Sequence, residues 1–199
     1  MKNNIKEVRL ADVKFEETDD KMILEGYAIV FNSETLIGEE THGFVEVIDR
    51  NALADTLLKD VPMKYNHMDS FLIIARTKNK SLQLTIDNIG LKVHAELIDT
   101  GTNKDIYKMV GSGLLDKMSF AFTVKEQIWN REGEIPKRII TKIDRLYDVS
   151  VVDTPAYDAT SIYARSVEAM DLELQTMDIE KQAKELKVMK QRIKMKSKL

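Results

Sequence analysis

The sequence predicts a mainly β fold of the α+β class with a helical extension at its C-terminus. Three observations carry that expectation. Apolar and polar residues alternate along several short runs, as they do in half-buried strands. Two stretches, 48–58 and 104–110, instead place apolar residues three and four apart, the spacing of a helix face. From Ser166 onward the chain holds neither glycine nor proline and is rich in Glu, Lys, Gln, Met and Leu, all good helix formers.

The elements follow in order. Residues 24–31 are apolar and aromatic and end at the turn-forming pair Asn32-Ser33, which reads as a strand. Residues 48–58 read as a short helix that Asp49 can cap, with Leu53, Leu57 and Leu58 on one face. A strand over 61–67 tolerates Pro62 because it lies near the start. Runs 81–86 and 90–97 both alternate, and Asp87-Asn88-Ile89-Gly90 between them makes a hairpin turn. Thr102 or Asn103 caps the helix over 104–110, whose apolar side is Ile106, Met109 and Val110; Gly111 and Gly113 end it. A strand over 118–125 comes next, then a charged loop at Arg131-Glu132-Gly133-Glu134, then one or two strands over 138–152. In the tail, Leu172, Ile179, Leu186 and Ile193 recur every seven residues, but Gln175, Gln182 and Lys196 weaken the companion seam. The tail therefore reads as an exposed helix or partly ordered extension. The expected domains are 1–165 and 166–199.

At 199 residues the chain can bury one good core. Its formal charge of −3 gives no electrostatic case for nucleic acid or an anionic membrane as partner. Cysteine is absent, which excludes disulfides, thiolate metal sites and cysteine nucleophiles and fits a reducing compartment. No run has the length of a signal peptide's apolar segment or of a membrane span. The expected setting is cytoplasmic.

His67, Ser119 and Asp148 are polar residues in strand-like apolar contexts. A serine hydroxyl is a poor nucleophile near neutral pH and needs a base to take its proton. Histidine suits that task, and a third group then holds the imidazole's tautomer and orientation. The chain has only three histidines, so the choice of base is narrow. His42 reads as an exposed loop residue and His94 as the polar face of a strand, whereas His67 ends a strand before a polar turn. Ser119 lies between Met118 and Phe120, where a serine also serves simply as a small residue in a crowded interior. Asp148 stands at the edge of an apolar run, as a solvated strand-end residue also would. The glycine-flanked approach Gly111-Ser112-Gly113-Leu114-Leu115 gives the chain freedom close to Ser119, and free backbone amides near this site are candidate oxyanion donors that the sequence does not single out. Nothing matches a phosphate-cradling glycine loop, a His-x-x-x-His zinc helix or a Gly-x-Ser-x-Gly elbow.

Several blocks occur in a set order: Asn66-His67, Ile74-Ala75-Arg76-Thr77, the hairpin, Met118-Ser119-Phe120-Ala121-Phe122, then Asp148-Val149-Ser150-Val151-Val152 with Pro155-Ala156-Tyr157. This set resembles the prohead (capsid maturation) protease family of tailed bacteriophages, distant relatives of the herpesvirus assemblin proteases, over about residues 23–165. The resemblance implies a serine endopeptidase built on a closed β-barrel flanked by helices. It implies His67 as base and Ser119 as nucleophile. The third member stays open: Asp148 stands where the family often has glutamate, His94 follows because the herpesvirus relatives use a second histidine, and Asp69 comes third. Arg76 matches a basic position often seen in the family. The implied substrates are the scaffolding protein or the scaffold-like segment of the major capsid protein, and the enzyme itself, whose tail is one segment it could trim. The implied location is the host cytoplasm, inside the assembling prohead. No cofactor or metal, no nucleic acid and no membrane is expected, and a homodimer is allowed. The rival reading is a non-catalytic capsid scaffold or assembly chaperone acting through the charged tail.

Overall fold

The alternating runs fold as strands. The structure, a computed structural model, describes residues 7–18, 21–38, 43–70, 72–153, 176, 179 and 181–190. Its strands are β1 (Glu7–Thr18), β2 (Lys21–Val30), β3 (Thr35–Ile37), β4 (Phe44–Ile48), β5 (Pro62–Tyr65), β6 (Ala75–Arg76), β7 (Leu82–Ile86), β8 (Gly90–Leu97), β9 (Lys117–Asn130) and β10 (Lys137–Val152). A 3-10 turn, Thr77–Asn79, and one α-helix, α1 (Gly101–Gly111), interrupt them. The fold is thus mainly β within the α+β class. No helix among the described residues is long and apolar enough to cross a membrane.

Hydrogen bonds join the strands in the order β3-β4-β10-β9-β1-β2-β8-β7, with β5 added to β10 and β6 to β5. The long strand β1 serves two partners, pairing with β9 through residues 7–12 and with β2 through residues 13–18. β10 is antiparallel to β9 and parallel to both β4 and β5. Where β9 and β10 run side by side, 118–123 and 148–152 are buried at every position. Both faces of the sheet are covered there, so burial is continuous along these runs rather than alternating. Phe120 and Phe122 stack at 5.0 Å between ring centroids, in a core with Leu24, Ile29, Met63, Leu91 and Ile140. Ser119, Asp148 and Ser150 are polar residues enclosed in this apolar region.

The closed barrel implied by the resemblance is not formed by these pairings. Among the described residues the strand order is open, ending at β3 and β7. The chain between β6 and β7 shows why the ladder stops. The 3-10 turn ends at Lys80, whose φ is +65°, and side-chain bonds replace strand pairing: Arg76 N–H donates to Ser81 Oγ at 2.9 Å.

Two helix expectations change as well. Residues 50–55 form successive turns rather than an α-helix. Ala52, Ala54 and Thr56 each donate to the carbonyl three residues earlier, a tighter spacing than the α-helix uses. α1 starts earlier than expected: Thr100 caps it by accepting from Asn103 N–H. Asn103 is instead buried, its side-chain amide donating to the carbonyls of Ile74 and Ile98. The hairpin is as expected, with Asp87 Oδ1 accepting from Ile89 and Gly90 N–H.

Contacts divide the chain into two units, Met1–Thr160 and Ser161–Leu199. In the second, residues 181–190 are helical and exposed. Ile179 and Leu186 of the seven-residue repeat are exposed too. Leu172, Ile193, His42 and Pro155-Ala156-Tyr157 lie outside the described residues.

Candidate active site

Strand register brings the polar residues together. Ser119 of β9 pairs with Ser150 of β10, and Asp148 lies two residues before Ser150, just past an irregularity in the ladder. Directly opposed residues, and residues two apart on one strand, share a face of a sheet. On the other side of β10 the parallel strand β5 sets Lys64 against Ser150. The chain then reverses at Asn66 and His67, with φ of +48° and +56°, and Met68 N–H closes the turn on Tyr65 O at 3.0 Å. Asparagine tolerates this backbone readily, whereas histidine holds it at a cost of about 1 kcal/mol. Two bonds tie the turn to β10 and its end: Asn66 N–H to Val151 O at 3.0 Å, and Asp153 N–H to Asn66 Oδ1 at 3.2 Å.

This turn directs the imidazole between a carboxylate and a hydroxyl. His67 Nδ1 is hydrogen-bonded to Asp148 Oδ1, and His67 Nε2 lies 2.7 Å from Ser119 Oγ. A carboxylate opposite Nδ1 assigns the proton to that nitrogen and leaves the Nε2 lone pair facing the hydroxyl. Asp148 is 0% exposed, and a buried carboxylate must be hydrogen-bonded. Besides His67, Ser150 Oγ donates to its Oδ1 at 3.0 Å, and Lys64 Nζ lies 3.8 Å from its Oδ2. Chemically, an acid–imidazole–hydroxyl chain can draw the proton from the hydroxyl as its oxygen attacks a carbonyl.

Ser119 Oγ also meets the main-chain carbonyl of Arg9 on β1 at 2.7 Å. The Arg9 side chain belongs to a buried ion cluster. Its guanidinium binds Glu46 through Nε and through Nη2 at 2.7 Å, and Glu7 at 2.8 Å. Arg138 binds the same two carboxylates at 2.5–3.0 Å. Two acids balance two bases, and the cluster ties β1 to β4 and β10. Burial pushes the Glu7 carboxyl up, but the Arg138 hydrogen bond and the charges of Arg138 and Arg9 outweigh it, holding the group below its ordinary 4.5. Burial alone would lower both arginines, yet their carboxylate partners raise them above the ordinary value.

The other sequence candidates stand elsewhere. His94 Nδ1 is hydrogen-bonded to Glu25. Asp69 is exposed and bonded to Lys64 at 2.6 Å. Arg76 pairs with Asp60 at 2.5 and 2.9 Å. The backbone amides of the glycine-flanked segment before β9 close the end of α1: Ser112, Gly113 and Leu114 donate to Lys108, Val110 and Met109. Sequence reasoning missed Lys64, Arg9 and Ser150. Only Ser150 carried a readable signal, its two-residue spacing from Asp148. Among the described residues no group of three or more His, Asp or Glu could hold a metal ion.

Among solved structures, the bacteriophage T4 capsid assembly protease, gp21, is similar at 10% identity with a TM-score of 0.49, covering 75% of this chain and 99% of that one. No curated protein matches the sequence. The sequence profile described as caudovirus prohead serine protease matches residues 9–173. With most of its length matched, the chain belongs to the caudovirus prohead serine protease family.

Proposed function

We propose that this chain is an active serine endopeptidase of capsid maturation, with Ser119 as nucleophile, His67 as general base and Asp148 as the group that orients the imidazole. The observation that carries the reading is the His67 contact pair, Nε2 at 2.7 Å from Ser119 Oγ with Nδ1 on buried Asp148. His67 takes the hydroxyl proton as Ser119 attacks the scissile carbonyl. The imidazolium formed is stabilised by Asp148 and gives its proton to the leaving amine. Water, deprotonated by the same imidazole, then hydrolyses the acyl-enzyme. In the neutral ring Asp148 also keeps the proton on Nδ1, so that Nε2 faces Ser119 Oγ with its lone pair.

Family membership supports the scaffolding protein, or a scaffold-like segment of the major capsid protein, as substrate. The chain itself is a further substrate, and its exposed helix over 181–190 belongs to the tail it trims. The setting is the interior of an assembling prohead in the host cytoplasm. Intact-mass spectrometry of wild type and Ser119→Ala, each alone and with the cognate capsid or scaffold protein, tests the reading. Discrete fragments with wild type and none with the variant are expected. Matching masses in both would favour a non-catalytic scaffold.

A further inference from the structure

We propose that Ser150 is a positioning residue that holds the His67–Asp148 pair in register, an inference that rests on the catalytic reading above. Ser150 is 0% exposed, and its hydroxyl touches both members of the pair. It donates to Asp148 Oδ1 at 3.0 Å, the oxygen that also meets His67 Nδ1. It accepts from the main-chain N–H of His67 at 3.3 Å and stands 3.2 Å from the ring nitrogen Nδ1. A hydroxyl has one proton and two lone pairs, so one donated and one accepted bond use it well.

The consequence is geometric. Asp148 and Ser150 lie on β10, whereas His67 lies on the reversed turn after β5. The hydroxyl therefore ties the backbone of the base to the carboxylate that orients its ring. The His67 main chain has a positive φ of 56°, a conformation that persists only where surrounding bonds hold it. Removing the hydroxyl takes away the acceptor of the His67 N–H and one of the donors to Asp148 Oδ1, leaving His67 Nδ1 to hold that oxygen. The imidazole then drifts relative to Ser119, and small misplacements at a reacting centre cost rate rather than binding. Ser150 is not itself the nucleophile. It faces Nδ1, the nitrogen committed to Asp148, while Ser119 faces Nε2.

The test uses the full chain and a peptide spanning a cleavage site mapped on the cognate substrate. Ser150→Ala should lower kcat about tenfold with KM unchanged. Ser150→Thr and Ser150→Val have nearly one shape and differ by the hydroxyl, so Thr should keep several-fold more kcat than Val. Wild-type kcat in Ser150→Ala, or equal kcat in Thr and Val, overturns the proposal. Should Thr or Val not fold, the low-field proton resonance of the His67 imidazole N–H decides. Displacement of that resonance in Ser150→Ala supports the proposal and an unmoved one overturns it. Ser119→Ala runs alongside: cleavage surviving in it sinks the catalytic reading itself. Loss in Ser119→Ala with full activity in Ser150→Ala overturns the Ser150 role alone.

Discussion

The main-chain carbonyl of Arg9 lies 2.7 Å from Ser119 Oγ, the same distance that separates this oxygen from His67 Nε2. The hydroxyl has one proton for two acceptors, so β1 competes with the base for it. Arg9 is fixed in turn by its buried guanidinium, and the N-terminal strand therefore bears directly on the nucleophile.

The ion cluster around Arg9 predicts a large loss of stability when one partner is removed. Glu46 is 3% exposed and binds both Arg9 and Arg138. Glu46→Gln leaves two buried guanidinium groups facing one carboxylate, a loss of about 3–5 kcal/mol. Urea unfolding followed by circular dichroism measures it, and an unchanged midpoint contradicts the cluster's role.

Glu7 predicts the direction of an acid effect. Its folded-state carboxyl is held below the ordinary 4.5, so its stabilisation is fully present above that pH and is lost as pH falls through the lowered value. Glu7→Gln has no such dependence. The stability advantage of wild type over Glu7→Gln should therefore shrink on acidification below pH 4.5 and stay constant above it. A constant difference across both ranges contradicts the assignment.

The turn that delivers the base predicts an asymmetry at Asn66. Its φ of +48° suits Gly and Asn and costs Ala roughly 1–2 kcal/mol. Asn66→Ala should lose more stability than Asn66→Gly, although both remove the Asn66 Oδ1 bond to Asp153 N–H. Equal melting temperatures of the two variants would remove backbone strain from the account.

Gly90 sits where β8 meets the irregular part of its pairing with β2. A Cβ there would lie 1.8 Å from the Ile29 carbonyl oxygen, and backbone cannot yield as a flexible side chain can. Gly90→Ala should destabilise by about 1–3 kcal/mol or more. Thermal unfolding at wild-type temperature would show that the hairpin shifts freely.

The site was more legible than the closure of the sheet. Ser119 stands out because a polar residue inside an apolar run has to be explained, and His67 because it ends a strand at a polar turn, whereas Asp148 at the edge of its run reads equally as a solvated strand end. Their meeting depends on the β9–β10 register and on parallel pairing of β5 with β10, which alternation alone does not encode. The stretch 48–58 reads as a helix because Leu53, Leu57 and Leu58 fall on one helical face, but three-residue turns form there instead, burying Leu53 and leaving Leu57 exposed. Arg9 was invisible for another reason: its role runs through a main-chain carbonyl, and every residue type has one. The open strand order was hidden by the family resemblance, which implied a barrel where Ser81 and Lys80 turn the chain out of the ladder.

The most direct test of the central claim is the kcat/KM of Ser119→Ala, His67→Ala and the double variant on one mapped cleavage-site peptide. Groups that act as a unit lose activity non-additively. Each single variant should lose about four orders of magnitude or more, and the double variant should lose no more than either. Additive losses, or a His67→Ala variant that still cleaves near the wild-type rate, would contradict a Ser119–His67 catalytic unit.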